Sequence, residues 1–283
     1  MNINRISPDE HKFLKRVKNI AKPPKCLYYI GSLPDKPVKV AAIVGTRRPT
    51  AYGRAVTEQI ASALARHGVI VVSGLALGVD AIAHRATIDA GGITVAVVAS
   101  GLDDPGPRTN RSVAEDIIKH NGAIISEQQP GYRIAGPWEF VVRNRIVSGL
   151  SDVIIVTEAN IKSGTMTTVA QALEQGKDVY AVPGPITSPL SAGCNRLIAQ
   201  GARPITDIDS LLEELGLTGQ QTLALGDTPE EALLLQLLRE GLNDGEDLLE
   251  ASALSTDIFS QTVTMLEIRG VIRSLGANKW RLG

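Results

Sequence analysis

Short apolar runs alternate with amphipathic stretches over the first 215 residues of the chain. The runs are three to six residues long and are bounded by glycine or polar residues, which is typical of buried strands. The stretches between them carry apolar residues at helical spacing, as Val56, Ile60 and Leu64 do. Strands that alternate with helices predict βαβ units with right-handed crossovers, and so an α/β fold around a mostly parallel, doubly wound sheet. The predicted strands are 40–44, 69–72, 93–98, 123–125, 152–157 and 178–182, and later helices are predicted at 111–121, 138–150, 165–174, 193–200 and 207–215.

Residues 1–24 form a separate basic segment ahead of this pattern. Phe13, Leu14, Val17 and Ile20 fall on one side of a helix, and Pro23-Pro24 ends it. The segment therefore predicts a short basic helix. Its role is either to dock on the body of the protein or to contact nucleic acid, and docking is favoured because charged residues usually form a solvated face. A further strand is predicted at 27–31.

The last quarter of the chain has a different organisation. Residues 217–228 form a linker without clear periodicity, which separates a domain at 25–216 from one at 229–283. Helices at 229–240, 247–253 and 256–269, followed by short strands at 271–274 and 279–282, predict a small winged-helix domain. The third helix reads DNA in winged helices that bind it. Here that helix carries Asp257 and Glu267 against Arg269, which favours a module that docks on protein or is vestigial over one that binds DNA.

Charge is distributed unevenly between these domains. Residues 225–283 carry ten acidic and five basic side chains, whereas the rest of the chain carries 20 acidic and 24 basic ones. Any contact with a polyanion is therefore expected on the large domain. The two cysteines lack metal-ligand spacing, no apolar run is long enough for a membrane span, and the polar amino terminus does not resemble a signal peptide. We expect a cytoplasmic protein with reduced thiols, no metal and no membrane partner.

Three predicted strands end in turns that open a helix. The turns are residues 46–50, 73–78 and 162–165, and they lie at the carboxyl ends of parallel strands. Open α/β sheets bind ligands at this edge, where helix amino termini favour anions. The dinucleotide fingerprint and the Walker pattern are both absent. Glycine in such turns is also common for purely structural reasons, and the hydroxyl-rich third turn is also good helix-capping chemistry.

The predicted helix 138–150 contains the triplet Arg143-Asn144-Arg145. Arginine is costly on a helix that packs against a sheet. The two guanidinium groups either bind phosphate or satisfy a carboxylate and backbone carbonyls inside the fold.

In order, these motifs resemble the DprA/Smf (DNA-processing protein A) family over residues 22–215. The resemblance implies an extended Rossmann-like domain that binds single-stranded DNA, a homodimer, and help in loading RecA recombinase onto DNA during natural transformation and recombination. It implies no cofactor and no catalytic residue. A Phe-Pro pair that is usual in the family is replaced here by Phe140-Val141. The motifs that carry the resemblance are GTRRP at 45–49, SGLALGVD at 73–80, FVVRNRIVSGL at 140–150, KSGT at 162–165 and VPG at 182–184.

The turns and the resemblance together give one set of candidate DNA-binding residues. Three anion-binding turns on one sheet edge exceed what a single nucleotide needs, and suit the successive phosphates of a strand. Few aromatic residues are present, at 4% of the chain, so little base preference is expected. The candidates are Thr46, Arg47, Arg48, Ser73, Gly74, Gly78, Arg143, Asn144, Arg145, Lys162, Ser163, Gly164 and Thr165.

An enzymatic alternative comes from related Rossmann-like proteins of the lysine-decarboxylase-like group, which hydrolyse nucleoside monophosphates. Thr168 stands where their catalytic glutamate would lie, so the general base is missing. Asp80 and His84 are one helical turn apart and could form an acid–base pair, although a helix cap together with a histidine satisfied inside the fold is favoured. Glu158 is the nearest acid to the third turn. The sequence predicts a binding protein without hydrolase activity.

Overall fold

A computed structural model describes residues 2–35, 38–217, 228–239, 241–276 and 278–282. The chain divides into two compact units, Met1–Gln221 and Thr222–Gly283. The predicted linker 217–228 lies, apart from its two end residues, outside the described residues.

The first unit is built on a nine-stranded sheet of order β1-β2-β6-β5-β4-β3-β7-β8-β9. The first two strands pair antiparallel at one edge, and β2 is also antiparallel to β6. From β6 to β9 all neighbours are parallel, which confirms the predicted α/β class with a mostly parallel sheet. The strands are β1 Asn4–Ile6, β2 Leu27–Gly31, β3 Val40–Val44, β4 Ile70–Ser73, β5 Thr94–Val98, β6 Ala123–Ser126, β7 Val153–Val156, β8 Asp178–Ala181 and β9 Arg203–Pro204.

Helices cover both faces of this sheet. Alternate residues of β3 point to opposite faces, so Ala42 joins one core while Ala41 and Ile43 join another. Helices α4, α5 and α6 pack on the first core, and α1, α2 and α7 pack on the second. The helices are α1 Ala51–Arg66, α2 Val79–Asp89, α3 Arg111–Lys119, α4 Trp138–Leu150, α5 Thr165–Glu174, α6 Ala192–Ala199 and α7 Ile208–Glu214.

The strand order reverses direction beside β3. The chain runs from β3 through β4 and β5 to β6 on one side, and from β7 through β8 to β9 on the other. The carboxyl ends of β3 and β7 therefore form a topological switch point, where the loops on either side part and leave a crevice.

The amino-terminal segment differs from the predicted single basic helix. It contains β1 and two short 3₁₀ helices, Pro8–Glu10 and Leu14–Asn19. The apolar side was identified correctly, since Phe13, Leu14 and Val17 are buried in the main core. The predicted short helix is present as the 3₁₀ helix Leu14–Asn19, and β1 and the first 3₁₀ helix occupy the residues before it.

The second unit contains three helices and a hairpin. Helices α8 Pro229–Arg239, α9 Gly245–Ser252 and α10 Thr256–Ile268 are followed by β10 Ile272–Gly276 and β11 Lys279–Leu282, which pair antiparallel. Its core includes Leu234, Leu248 and Phe259, and Trp280 meets Phe259 edge to face at 6.5 Å. Within the described residues of both units, no helix is long and apolar enough to cross a membrane.

Candidate nucleic-acid interface

A cleft of about 450 Å³ opens at the switch point. Its walls come from the ends of β3 and β4, from α4, and from the turn that opens α5. Seven of the residues predicted from the sequence line it: Arg47, Gly74, Arg143, Asn144, Ser163, Gly164 and Thr165. The other six predicted residues, Thr46, Arg48, Ser73, Gly78, Arg145 and Lys162, lie outside its lining.

The first turn is anchored by Glu158, which lies two residues beyond the end of β7. The carboxylate of Glu158 accepts the backbone N–H of Thr50 at 2.8 Å and its hydroxyl at 2.7 Å. The carbonyl oxygen of Glu158 also accepts the N–H of Thr46 at 2.7 Å. Both ends of the turn are thereby fixed, and Arg47 and Arg48 between them are exposed. Glu158 is a structural residue, 2% exposed, rather than a base that faces the cleft.

Arg47 projects over an aromatic ring that the sequence did not single out as a binding residue. Its guanidinium carbon lies 5.4 Å from the centroid of Phe140, within cation–π range. Phe140 also lines the cleft. The signal was available in the sequence, because Phe140 lies one helical turn before Asn144 and so on the same side of α4.

The second turn is held from inside by Asp80. This buried carboxylate accepts the N–H groups of Gly74 at 3.0 Å and Ala76 at 3.3 Å. The sequence predicted that backbone N–H groups of this turn bind an external anion. Two of them, those of Gly74 and Ala76, already donate to Asp80. Ser73 is fully buried and donates its hydroxyl to the carbonyl of Ile43 at 2.6 Å.

Gly78 lets the first and second turns meet. Its φ is +77°, and a Cβ at this position would collide with the backbone of Thr46 and Arg47. The N–H of Val79 donates to the carbonyl of Thr46 at 3.1 Å. The glycine pattern of the second turn thus serves mainly to shape the backbone.

The arginines of the triplet point into the fold. Arg143 is buried and donates through Nη1 to the carbonyl of Gly74 at 2.7 Å and to the carbonyl of Val97. Burial lowers the pKa of Arg143 to about 10, while the negative charge of Asp80 acts in the opposite direction and raises it. Because a pKa of about 10 is well above 7, Arg143 stays charged at neutral pH. Arg145 binds both carboxylate oxygens of Glu127, at 2.8 and 2.6 Å. The sequence left two alternatives open for these arginines, phosphate binding and contacts inside the fold. Both arginines make contacts inside the fold: Arg143 binds backbone carbonyls and Arg145 binds a carboxylate.

Asn144, between the two arginines, is the member of the triplet whose contacts lie on the cleft surface. It is half-buried, and its Nδ2 donates to the hydroxyl of Thr167 at 3.0 Å. Thr167 itself lines the cleft and was not among the predicted residues.

The third turn presents the amino terminus of α5 to the cleft. The hydroxyl of Thr165 donates to the carbonyl of Gly45 at 3.0 Å, which ties this turn to the end of β3. The hydroxyl of Ser163 bonds to Thr165 at 2.9 Å. A Cβ added to Gly164 would meet nothing within 4 Å, so the backbone there is open to a ligand. Lys162, just before it, is exposed.

Asp80 and His84 do not form an acid–base pair. The Nδ1 of His84 lies 2.6 Å from the hydroxyl of Thr94, and that hydroxyl donates to the carbonyl of Val71. His84 therefore donates from Nδ1. Burial, and then the charge of Arg143, lower the pKa of His84 to about 3, so it is neutral at physiological pH. Among the residues described, no cluster of three or more side chains could hold a metal ion.

Comparison with known proteins agrees with this architecture. A family model for DNA recombination-mediator protein A matches residues 4–216. The chain is 41% identical over 215 residues to the DNA processing protein DprA of Bacillus subtilis, which covers 75% of this chain and 71% of that protein. It is 43% identical over 202 residues to a putative DprA of Mycobacterium tuberculosis, where 71% of this chain aligns with 51% of the relative.

Solved structures give the same result. The fold matches DprA from Streptococcus pneumoniae with a TM-score of 0.68 at 33% identity, which covers 76% of this chain and 75% of the other. It matches DNA processing protein A from Helicobacter pylori, a structure concerned with single-stranded DNA binding, with a TM-score of 0.67 at 33% identity. That match covers 76% of this chain and 96% of the other. The resemblance seen in the motifs is confirmed, and the chain belongs to the DNA recombination-mediator protein A (DprA/Smf) family.

Proposed function

We propose that the chain is a recombination mediator that binds single-stranded DNA in the switch-point cleft and has no catalytic activity. The observation that carries the proposal is the convergence of Arg47 and the amino terminus of α5 on one cleft. Both features favour phosphate, the first by charge and the second by the helix dipole. A cleft of this size admits individual nucleotides of a flexible strand, whereas a rigid duplex cannot enter it.

The proposal gives the candidate residues different roles. Arg47, Arg48 and Lys162 are exposed cations suited to phosphate contacts. Ser163, Gly164, Thr165 and Asn144 line the cleft and supply hydrogen-bonding groups or open backbone. Thr46 and Gly78 shape the turns, and Ser73, Gly74, Arg143 and Arg145 hold the cleft walls in place.

Nucleotide hydrolysis is not supported by the chemistry of the cleft. The carboxylate that lines it is Asp80, which is already bound to two amides. Thr168, at the position of the missing glutamate, also lines the cleft but carries only a hydroxyl. With no free carboxylate or imidazole among the described lining residues, no group is placed to activate water.

The wider role follows from family membership. The proposal includes a homodimer, contact with RecA recombinase and a part in natural transformation. The second unit, with its three helices and hairpin, is proposed to be a winged helix that contacts protein, since Asp257 and Glu267 give α10 an acidic character. Sedimentation of the full chain tests the dimer, and the rate of RecA filament growth on single strands tests the RecA contact.

The DNA-binding proposal is tested by titrating the protein with oligo-dT and with duplex DNA of equal length across a salt series. The single strand is expected to bind more tightly at every salt concentration. Equal or tighter binding of the duplex would contradict the proposal.

A further inference from the structure

Trp138 is the first residue of α4, and 60% of its surface is exposed. The chain has two tryptophans, and aromatic residues make up only 4% of it. A large aromatic side chain left in water forgoes the stabilisation that burial would give. An exposed tryptophan in a chain so poor in aromatics therefore points to a ligand or partner that covers it.

The position of Trp138 adjoins the proposed DNA cleft. Its neighbours Pro137, Phe140 and Val141 all line that cleft. Val141 is three residues along α4, so it shares a helix face with Trp138 at an axial distance of about 4.5 Å. Val141 and Val142 are themselves 39% and 45% exposed. Together these side chains form an apolar surface continuous with the cleft rim.

The indole lies against the backbone of Gly136. A Cβ added to Gly136 would lie 2.6 Å from Nε1 of Trp138 and 3.0 Å from its Cδ1. The pyrrole edge of the ring thus approaches the glycine closely, and a larger residue at position 136 would have to push the exposed ring aside. A tryptophan side chain has only two rotatable bonds, so it loses little conformational entropy when a planar ligand stacks on it.

Of the two nearby acidic groups, one is paired with an arginine and the other is buried. Glu127 is bound by Arg145 through both oxygens. Glu139 is 4% exposed, and its Oε1 accepts the N–H of Ala135 at 2.6 Å. A polyanion that leaves the cleft over the start of α4 therefore meets little exposed negative charge from these two residues.

We propose that Trp138 is a base-stacking platform for single-stranded DNA, one subsite beyond the cleft that holds the phosphates. This inference rests on the proposed DNA-binding function. Every base has a π face, so the platform is tolerant of sequence and binds a base that follows the phosphate contacts at the rim.

The experiment compares the full-length wild type with Trp138→Leu and Trp138→Phe. Each is titrated with oligo-dT and with an abasic oligonucleotide of the same length, and intrinsic tryptophan fluorescence is recorded. Ile186→Ala, at a residue 93% exposed and outside the cleft lining, is the matched control for loss of an exposed apolar side chain. Circular dichroism checks that each variant is folded.

Trp138→Leu is expected to bind oligo-dT about 5- to 150-fold more weakly, the range for loss of one stacked base. It should bind the abasic strand as the wild type does, because no base is there to stack. Oligo-dT should quench wild-type fluorescence, whereas Trp138→Phe should retain most of the affinity and lose the quenching, since Trp280 alone remains. Ile186→Ala should behave as the wild type.

Unchanged oligo-dT affinity in Trp138→Leu, or equal losses on oligo-dT and the abasic strand, would overturn the inference while leaving the proposed function standing. A change in oligomeric state without a change in DNA affinity would also overturn it, and would assign the surface to a protein contact. Failure of the wild type to bind any single strand would instead reject the proposed function, and this inference with it.

Discussion

The carboxylate of Glu158 receives both the backbone N–H and the hydroxyl of Thr50, at 2.8 and 2.7 Å. Glu158 lies two residues beyond β7, the strand next to β3, so this pair ties the first turn to the end of a neighbouring strand. The exposed Arg47, which lines the cleft, and the exposed Arg48 beside it are held in place by an acid that is almost wholly buried. The first turn, which carries these two cations, is thereby held in one position at the edge of the sheet.

Glu158→Gln tests whether this residue is an anchor. The amide keeps one acceptor oxygen and loses the charge, so the free energy of unfolding should fall by about 1.5–3 kcal/mol, the range for a hydrogen bond to a charged group. Urea unfolding followed by circular dichroism measures this. Wild type and variant should both release no free base from AMP. Turnover in the wild type that the mutation abolishes would make Glu158 a catalytic base and contradict the non-enzymatic account.

Arg143→Met tests whether Arg143 stabilises the fold or contacts DNA directly. The substitution leaves Asp80 and the carbonyls of Gly74 and Val97 without their cationic neighbour. Removing one partner from a buried charged network costs about 3–5 kcal/mol of stability, measurable as a shift in the urea midpoint. Arg48→Ala is the control, since loss of an exposed side chain should cost less than about 0.5 kcal/mol. An Arg143 variant of wild-type stability that has lost DNA binding would assign this residue to direct contact.

Most of the architecture could be predicted from the sequence because local patterns carry it. The five-residue apolar run of β3 and the helical spacing of α4 need no tertiary information, and both predicted ranges agree with the structure. The amino-terminal segment was misjudged because its form depends on pairing between Asn4–Ile6 and a strand more than twenty residues later.

The site was harder to predict for a physical reason. Residue types reveal which groups can bind phosphate, but not which of them are already occupied within the fold. Arg143 and Arg145 look identical in sequence to DNA-binding arginines, and only the positions of Gly74 and Glu127 show their internal partners. Phe140 was missed as a binding residue because its importance comes from Arg47, ninety-three residues earlier in the chain.

His84 should make stability depend on pH. Its pKa is lowered from 6.5 to about 3 by burial, so between these values the unfolded state binds a proton that the folded state does not. Stability should therefore fall as the pH falls below 6.5, by about 1.4 kcal/mol per pH unit from this residue. His84→Gln should remove this component. Urea unfolding of the wild type and of His84→Gln at pH 7 and pH 5 gives the change in the free energy of unfolding with pH for each protein. An equal change in the two proteins would contradict the assignment of His84 as buried and neutral.

Removal of residues 225–283 should leave the affinity for oligo-dT unchanged or slightly raised. This segment carries ten acidic and five basic residues, and it lies entirely within the second compact unit. The truncated protein is compared with the full chain by fluorescence anisotropy, with circular dichroism as the check on folding. A loss of more than about tenfold in a folded truncation would mean that the second unit contacts DNA.

The salt dependence of single-strand binding in Arg47→Ala/Lys162→Ala tests the central claim most directly. Both residues are exposed on turns, so the double variant should fold as the wild type does. Each lost phosphate contact lowers the slope of log K against log salt by about 0.7, so the double variant should show weaker binding and a slope reduced by about 1.4. Arg66→Ala, at the far end of α1, is the matched control and should change neither quantity. Wild-type affinity and slope in the double variant would contradict the assignment of the cleft as a phosphate-binding site for single-stranded DNA.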